Sequence, residues 1–166
     1  MILNRKSLAE GRLYSEEEDL VFDKSLFENR SDLKSIDKCH VKISYQDFGD
    51  VLHIDVNIDA NLTLVCSYTL EDIGYKLSIQ DELDFTDQEE VADENVFLEP
   101  LSTIDLSPYI FGLISASIPM KVVKEGVQLP KDGKGYRVIK EDELSKERKN
   151  RKDPRFAALD DIKIDD

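Results

Sequence analysis

The chain has 166 residues, 36 acidic and 22 basic, for a formal net charge of -14. That balance argues against broad, non-specific binding to nucleic acid or to an anionic membrane, and leaves room only for a local basic patch. Hydrophobic residues make up 40% of the chain, enough for one core, and no apolar run is long enough to span a bilayer or to act as a signal peptide. The expectation is a cytoplasmic protein with no membrane partner, whose two cysteines, Cys39 and Cys66, stay reduced and buried.

Near the start, Ile2, Leu3 and Leu8 anchor a short strand or turn. Residues 15–19 read as a solvated acidic patch. Leu20, Val21 and Phe22 read as a short strand, and Leu26 and Phe27 continue the core before a polar loop at 28–38. The strongest pattern lies at 41–66. Leu52, Ile54, Val56, Ile58, Ala60, Leu62, Leu64 and Cys66 alternate with His53, Asp55, Asn57, Asp59, Asn61 and Thr63. A period of two puts one set on each face of a strand, the mark of an antiparallel sheet with one dry face. Cys39, Val41, Ile43 and Tyr45 alternate in the same way, with Gly49 in the turn between the runs, so the pair reads as a hairpin. The second run is long for one strand. A bend near 59–61 would divide it in two.

After a turn at 67–74, Tyr75, Leu77, Ile79, Leu83 and Phe85 share a parity. They predict another strand, with Asp81 at a bulge or an edge. Residues 77–120 contain no Lys or Arg, and 86–95 read as an exposed acidic loop. The run 96–98 is too short to assign. Within 104–120, Leu106, Tyr109, Ile110, Leu113 and Ile114 recur at helical spacing. Ser107 is the expected N-cap, Pro108 the first helical residue and Pro119 the stop, while Gly112 marks a close approach to a neighbour. Farther on, Tyr136, Val138 and Ile139 suggest an edge strand or an extended arm. Residues 141–152 are almost wholly charged, either an exposed helix or a disordered segment. Residues 153–159 start with Asp and Pro and predict a short helix.

Motifs for chemistry are absent. No phosphate-binding glycine loop, nucleophile elbow or metalloprotease pattern occurs, and no catalytic residue is assigned. His40 and His53 fall on the wet parity of the hairpin, in no recognised metal spacing. Cys66 has no adjacent base or cation in the sequence to activate it. The candidate RNA contacts are Lys146, Arg148, Lys149, Arg151, Lys152 and Arg155, cations on an extendable segment able to reach phosphates. The candidate protein-binding residues are Asp81, Glu82, Asp84, Asp87, Glu89 and Glu90. No cofactor and no metal site is expected.

Three segments, LTLVCSYTLE at 62–71, TIDLSPYIFGLISASIPMK at 103–121 and DPRFAALDDI at 153–162, occur in an order that resembles the YceD family, the large ribosomal RNA subunit accumulation proteins. Family members carry a Cys-x-x-Cys in the first segment, as in CSRCLE. Cys66 matches its first cysteine, and Thr69 stands in place of the second. Many relatives add cysteines after the second segment, which implies a zinc site there, and this chain has none in that region. The resemblance implies a non-enzymatic factor in accumulation or processing of 23S rRNA, acting on rRNA or a pre-ribosomal particle. The alternative is an acidic adaptor for a basic partner such as a ribosomal protein. The expected architecture is α+β: a curled antiparallel sheet packed against one main helix in a domain at 1–139, followed by a charged C-terminal arm at 140–166 that ends in a short helix.

Overall fold

The computed structural model describes residues 1–99, 102–127 and 131–150. Seven strands and two α-helices follow in the order β1 (Ile2–Asn4), β2 (Leu13–Asp19), β3 (Leu33–Asp47), β4 (Leu52–Val65), β5 (Asp72–Thr86), β6 (Val96–Leu98), β7 (Thr103–Asp105), α1 (Ser107–Ser117) and α2 (Glu141–Asn150). The main sheet has the order β2-β3-β4-β5-β6, and β1 pairs with β7 in a separate two-stranded ribbon. Its pairs are antiparallel except β5 with β6, which run parallel.

The alternation of β4 is realised in full. Leu52, Ile54, Val56, Ile58, Ala60, Leu62 and Leu64 are all buried, and β4 runs unbroken through 59–61 with no bend. It pairs with β5 in one continuous register from Leu52↔Phe85 to Val65↔Asp72. Gly49, at φ 91°, closes the β3–β4 hairpin in the left-handed region that glycine enters without a Cβ penalty.

The expected curl is not present. The sheet is an open, mixed ladder whose edge strands, β2 and β6, do not meet. Curling relies on bulges or bends that redirect strands. Irregularities in the pairing of β3 with β4 are confined to Leu33/Ser35 and Ile36/Lys38. The pairing of β5 with β6 covers only Asp84 to Thr86, so along most of its length β5 has no strand partner on that side among the described residues. Asp81 stands on that edge, exposed and without a bulge, although its parity is that of the core.

The dry face is covered in part by α1, whose Ile110 and Ile114 are fully buried. Phe85 meets Tyr109 edge-on, with ring centroids 4.8 Å apart, and Phe111 packs near Phe22 and Phe27. The helix begins at Ser107, one residue before the Pro108 expected as its first helical position, and Ile104 ahead of it belongs to β7 and is buried there beside Leu3 of β1. Ser107 is inside the helix rather than its cap; its backbone N–H donates to Asp105 Oδ1. Gly112 has open space where a Cβ would stand and marks no close approach.

Residues 15–19, read as a solvated acidic patch, are exposed but belong to the edge strand β2, and Leu20 to Phe22, read as a strand, follow it outside the sheet. Tyr136 forms a single bridge to Gly133 rather than a strand. No helix among the described residues is long and apolar enough to cross a membrane. Contacts divide the chain into two compact units, Met1–Lys124, which holds both sheets and α1, and Glu125–Asp166, which holds α2.

Candidate functional site

The basic candidates begin on α2. Its first turn is acidic, Glu141, Asp142 and Glu143, and its last turn basic, Arg148 and Lys149, which matches the helix dipole at both ends. Leu144 is its only apolar residue, so little binds the helix to a core. Glu147 is ion-paired with Arg137. Lys146, Arg148 and Lys149 are exposed and have no ion-pair partner among the described residues. Lys146 and Lys149, three residues apart, share a helix face. Arg151, Lys152, Arg155 and the terminal helix expected at 153–159 lie outside the described residues.

The acidic candidates are spread over separate environments. Asp84 faces solvent opposite His53, whose Nδ1–H donates to Asp84 Oδ1 at 2.6 Å, while Nε2 lies 3.6 Å from Asp55. The hydrogen bond to Asp84 raises the pKa of His53 above the ordinary histidine value, against partial burial. Asp87 accepts from Arg5, which also donates to Asp47 and to the carbonyl of Gly49 at 2.7 Å. Asp81 accepts the N–H of Glu82. Glu82 stands beside Asp55 on the solvent face, and Glu89 and Glu90 are exposed in the following loop. Asp84 and Asp87 are thus engaged within the chain.

The turn after β4 is held closely. Leu70 N–H donates to Cys66 O and Cys66 N–H to Glu71 O; Leu70 takes φ 59°, rare for a leucine. A second segment lies alongside. Ser67 N–H donates to Val122 O at 2.8 Å, Ser67 Oγ accepts from Val122 N–H, Lys124 pairs with Glu71, and Lys121 Nζ lies 4.8 Å from the Tyr68 ring centre. The Cys66 thiol is drawn down to about 7 by the Thr69 hydroxyl first and then by the backbone N–H of Lys124, with Thr69 and Tyr68 adding to it. This is the activation missing from the linear sequence, and it comes from N–H and O–H donors rather than from a cation. By contrast, burial pushes the Cys39 thiol up to about 11.

These residues do not fit the zinc site that the family resemblance implies. A tetrahedral structural zinc takes four Cys or His ligands. Here Cys66 is the one thiol, Thr69 replaces its partner, and the facing segment offers N–H donors that a metal cannot use. No described group of three His, Cys, Asp or Glu side chains is placed to hold a metal.

His40 and His53 share the wet face but stand in different rows. His40 pairs with Asp59 of β4 and its Nδ1 lies 2.8 Å from Asp19, while His53 is opposite Gln46. The register also assembles a row that single-strand parity does not reveal. Lys38 of β3, Asn61 of β4 and Lys76 of β5 lie side by side, and next to them His40, Asp59 and Ser78. These six residues, with Ala60 and Leu77, line a groove of about 520 Å³.

Comparison with known proteins places a match to the family described as "Large ribosomal RNA subunit accumulation protein YceD" over residues 54–163. The chain is also 30% identical over 138 residues to "Uncharacterized protein YlbN" of Bacillus subtilis (strain 168), covering 80% of this chain and 78% of that protein. No solved structure matches.

Proposed function

Because the chain belongs to the YceD family, we propose that it is a non-enzymatic factor in large ribosomal subunit biogenesis. It binds large-subunit rRNA or a pre-ribosomal particle in the cytoplasm, one protein per site. The family description supplies the connection to large-subunit rRNA. The observation that carries the binding mode is the set of exposed cations Lys146, Arg148 and Lys149 on α2, which have no ion-pair partner among the described residues. In a chain of net charge -14, cations with no carboxylate partner among the described residues keep their attraction for phosphate. Their contacts to the phosphate backbone protect or position the RNA and need no bond-making step. Arg151, Lys152 and Arg155 extend the same basic run.

The test is co-sedimentation of the full-length protein with ribosomal particles. The K146Q/R148Q/K149Q variant should leave the large-subunit fractions while its strand circular dichroism and melting curve stay those of the parent. Undiminished particle association would remove α2 from the binding mode. The adaptor reading rests on Asp81, Glu82, Glu89 and Glu90, which stay exposed for a basic protein. Nuclease treatment separates the two, since only the RNA-dependent association is lost.

A further inference from the structure

We propose that the groove between Lys38 and Lys76 is a second RNA contact, a seat for the phosphodiester backbone of a single strand on the solvent face of the main sheet. The inference rests on the rRNA-binding reading and assigns it a place on the folded sheet, apart from the arm.

The register fixes the arrangement. Lys38, Asn61 and Lys76 form one row across β3, β4 and β5, and His40, Asp59 and Ser78 the next. Neighbouring strands lie about 4.8 Å apart, so the two lysines leave the sheet roughly 10 Å from one another. Their flexible stems let both ammonium groups close on an anion between them. Elsewhere on this face His53 is held by Asp84, and Lys42 stands opposite Glu17 in the register but, like the groove lysines, has no ion-pair partner within 4.0 Å among the described residues. Lys38 and Lys76 have no ion-pair partner within 4.0 Å among the described residues, unlike Lys34, which is paired with Asp72.

The groove of about 520 Å³ is shallow and open, the wrong shape for enclosing a small metabolite and the right one for a chain that passes over it. Its polar equipment suits the same ligand. Lysine ammonium groups and the Asn61 amide donate to phosphate oxygens, and the Ser78 hydroxyl donates to phosphate or to a ribose 2′-OH. No aromatic side chain lines it, so it reads backbone and not base identity. Asp59, in the middle of the second row, opposes an anion and limits affinity. Sequence preference would then come from elsewhere on the particle.

The experiment is fluorescence anisotropy of the full-length protein with a labelled 20-nucleotide single-stranded RNA of mixed sequence, over a range of salt. Each phosphate contact contributes about 0.7 to the slope of log affinity against log salt. K38Q/K76Q should therefore bind more weakly and lower the slope by about 1.4. Asp59→Asn should bind more tightly, a change of opposite sign from a residue in the same groove. K24Q, remote in sequence and lining a different depression, should change neither.

If K38Q/K76Q matches the parent while the α2 variant loses affinity, the groove is overturned and the rRNA-binding reading stands. If the parent does not bind RNA, both fall. Inorganic phosphate titrated against the Asn61 side-chain amide signal is the second arm: a shift with phosphate but no RNA affinity assigns the groove to a free anion and overturns the RNA assignment. Aggregation of K38Q/K76Q with unchanged RNA affinity would reduce Lys76 to guarding the open edge of β5, and also overturns it.

Discussion

Replacing Ile54 by alanine tests the account of the sheet at its centre. Ile54 is fully buried on β4, opposite Tyr45 on one side and Leu83 on the other. The substitution removes three carbons from a packed site, worth about 2.4 kcal/mol in transfer free energy alone. The cavity left behind brings the expected loss to about 3–4 kcal/mol. Ile54→Asp adds the burial of a polar group with no partner, about 1–3 kcal/mol more even if the carboxyl is protonated, and far more if it is ionised. That total approaches the whole stability of an ordinary domain, roughly 5–15 kcal/mol. Asn57→Ala, three residues on and on the wet face, should stay within about 0.5 kcal/mol. Urea unfolding followed by far-ultraviolet circular dichroism gives all three values on one scale. Equal midpoints for Ile54→Ala and Asn57→Ala would refute the assignment of faces.

Three further outcomes follow from individual contacts. His53 has a raised pKa, so its charged pair with Asp84 contributes fully below the unfolded histidine value and is lost as pH rises through the folded one. The stability gap between the parent and Asp84→Asn should shrink on going from about pH 6 to pH 8, and a gap that widens would contradict the pair. Cys66 has a depressed pKa of about 7, so its contribution is full above the unfolded thiol value of 9.0 and falls away as pH drops through about 7. Ultraviolet thiolate titration of the parent against Cys66→Ser should show that lower midpoint, Thr69→Val should raise it, and EDTA should leave the melting curve unchanged. Arg5→Ala strips partners from the nearly buried Asp47 carboxylate and from the Gly49 carbonyl, at about 1–3 kcal/mol. In combination with Asp47→Ala the costs should fall short of additive, as measured by thermal melts. Additive losses would show that the two side chains act independently.

The β3–β4 hairpin was legible because its two faces meet different media, and alternation records that difference residue by residue. Strand β2 carries no such record. None of its residues is buried, and its strand character comes from backbone pairing with β3, which Glu16, Glu17 and Glu18 do not advertise. Strands β1, β6 and β7 are three residues each and exist through partners distant in the chain, as Leu3 opposite Ile104 illustrates. Ile104 lies next to the helix pattern but belongs to β7, a strand too short to carry a period of its own. The absence of curl depends on where bulges and register shifts fall, and the two shifts near the start of β3 leave no trace in composition. The basic cluster on α2 could be read as composition. The Lys38–Asn61–Lys76 row could not, because it requires the register of three strands at once. The donors around Cys66 were hidden for the same reason: Lys124 reaches the thiol from far along the chain.

The most direct measurement is in-cell crosslinking of the tagged protein, with bound RNA sequenced and bound proteins identified from the same sample. The account predicts reproducible crosslinks to one region of large-subunit rRNA, reduced in the K38Q/K76Q and K146Q/R148Q/K149Q variants. Recovery of ribosomal or assembly proteins with no rRNA crosslinks would contradict it and put a protein-binding adaptor in its place.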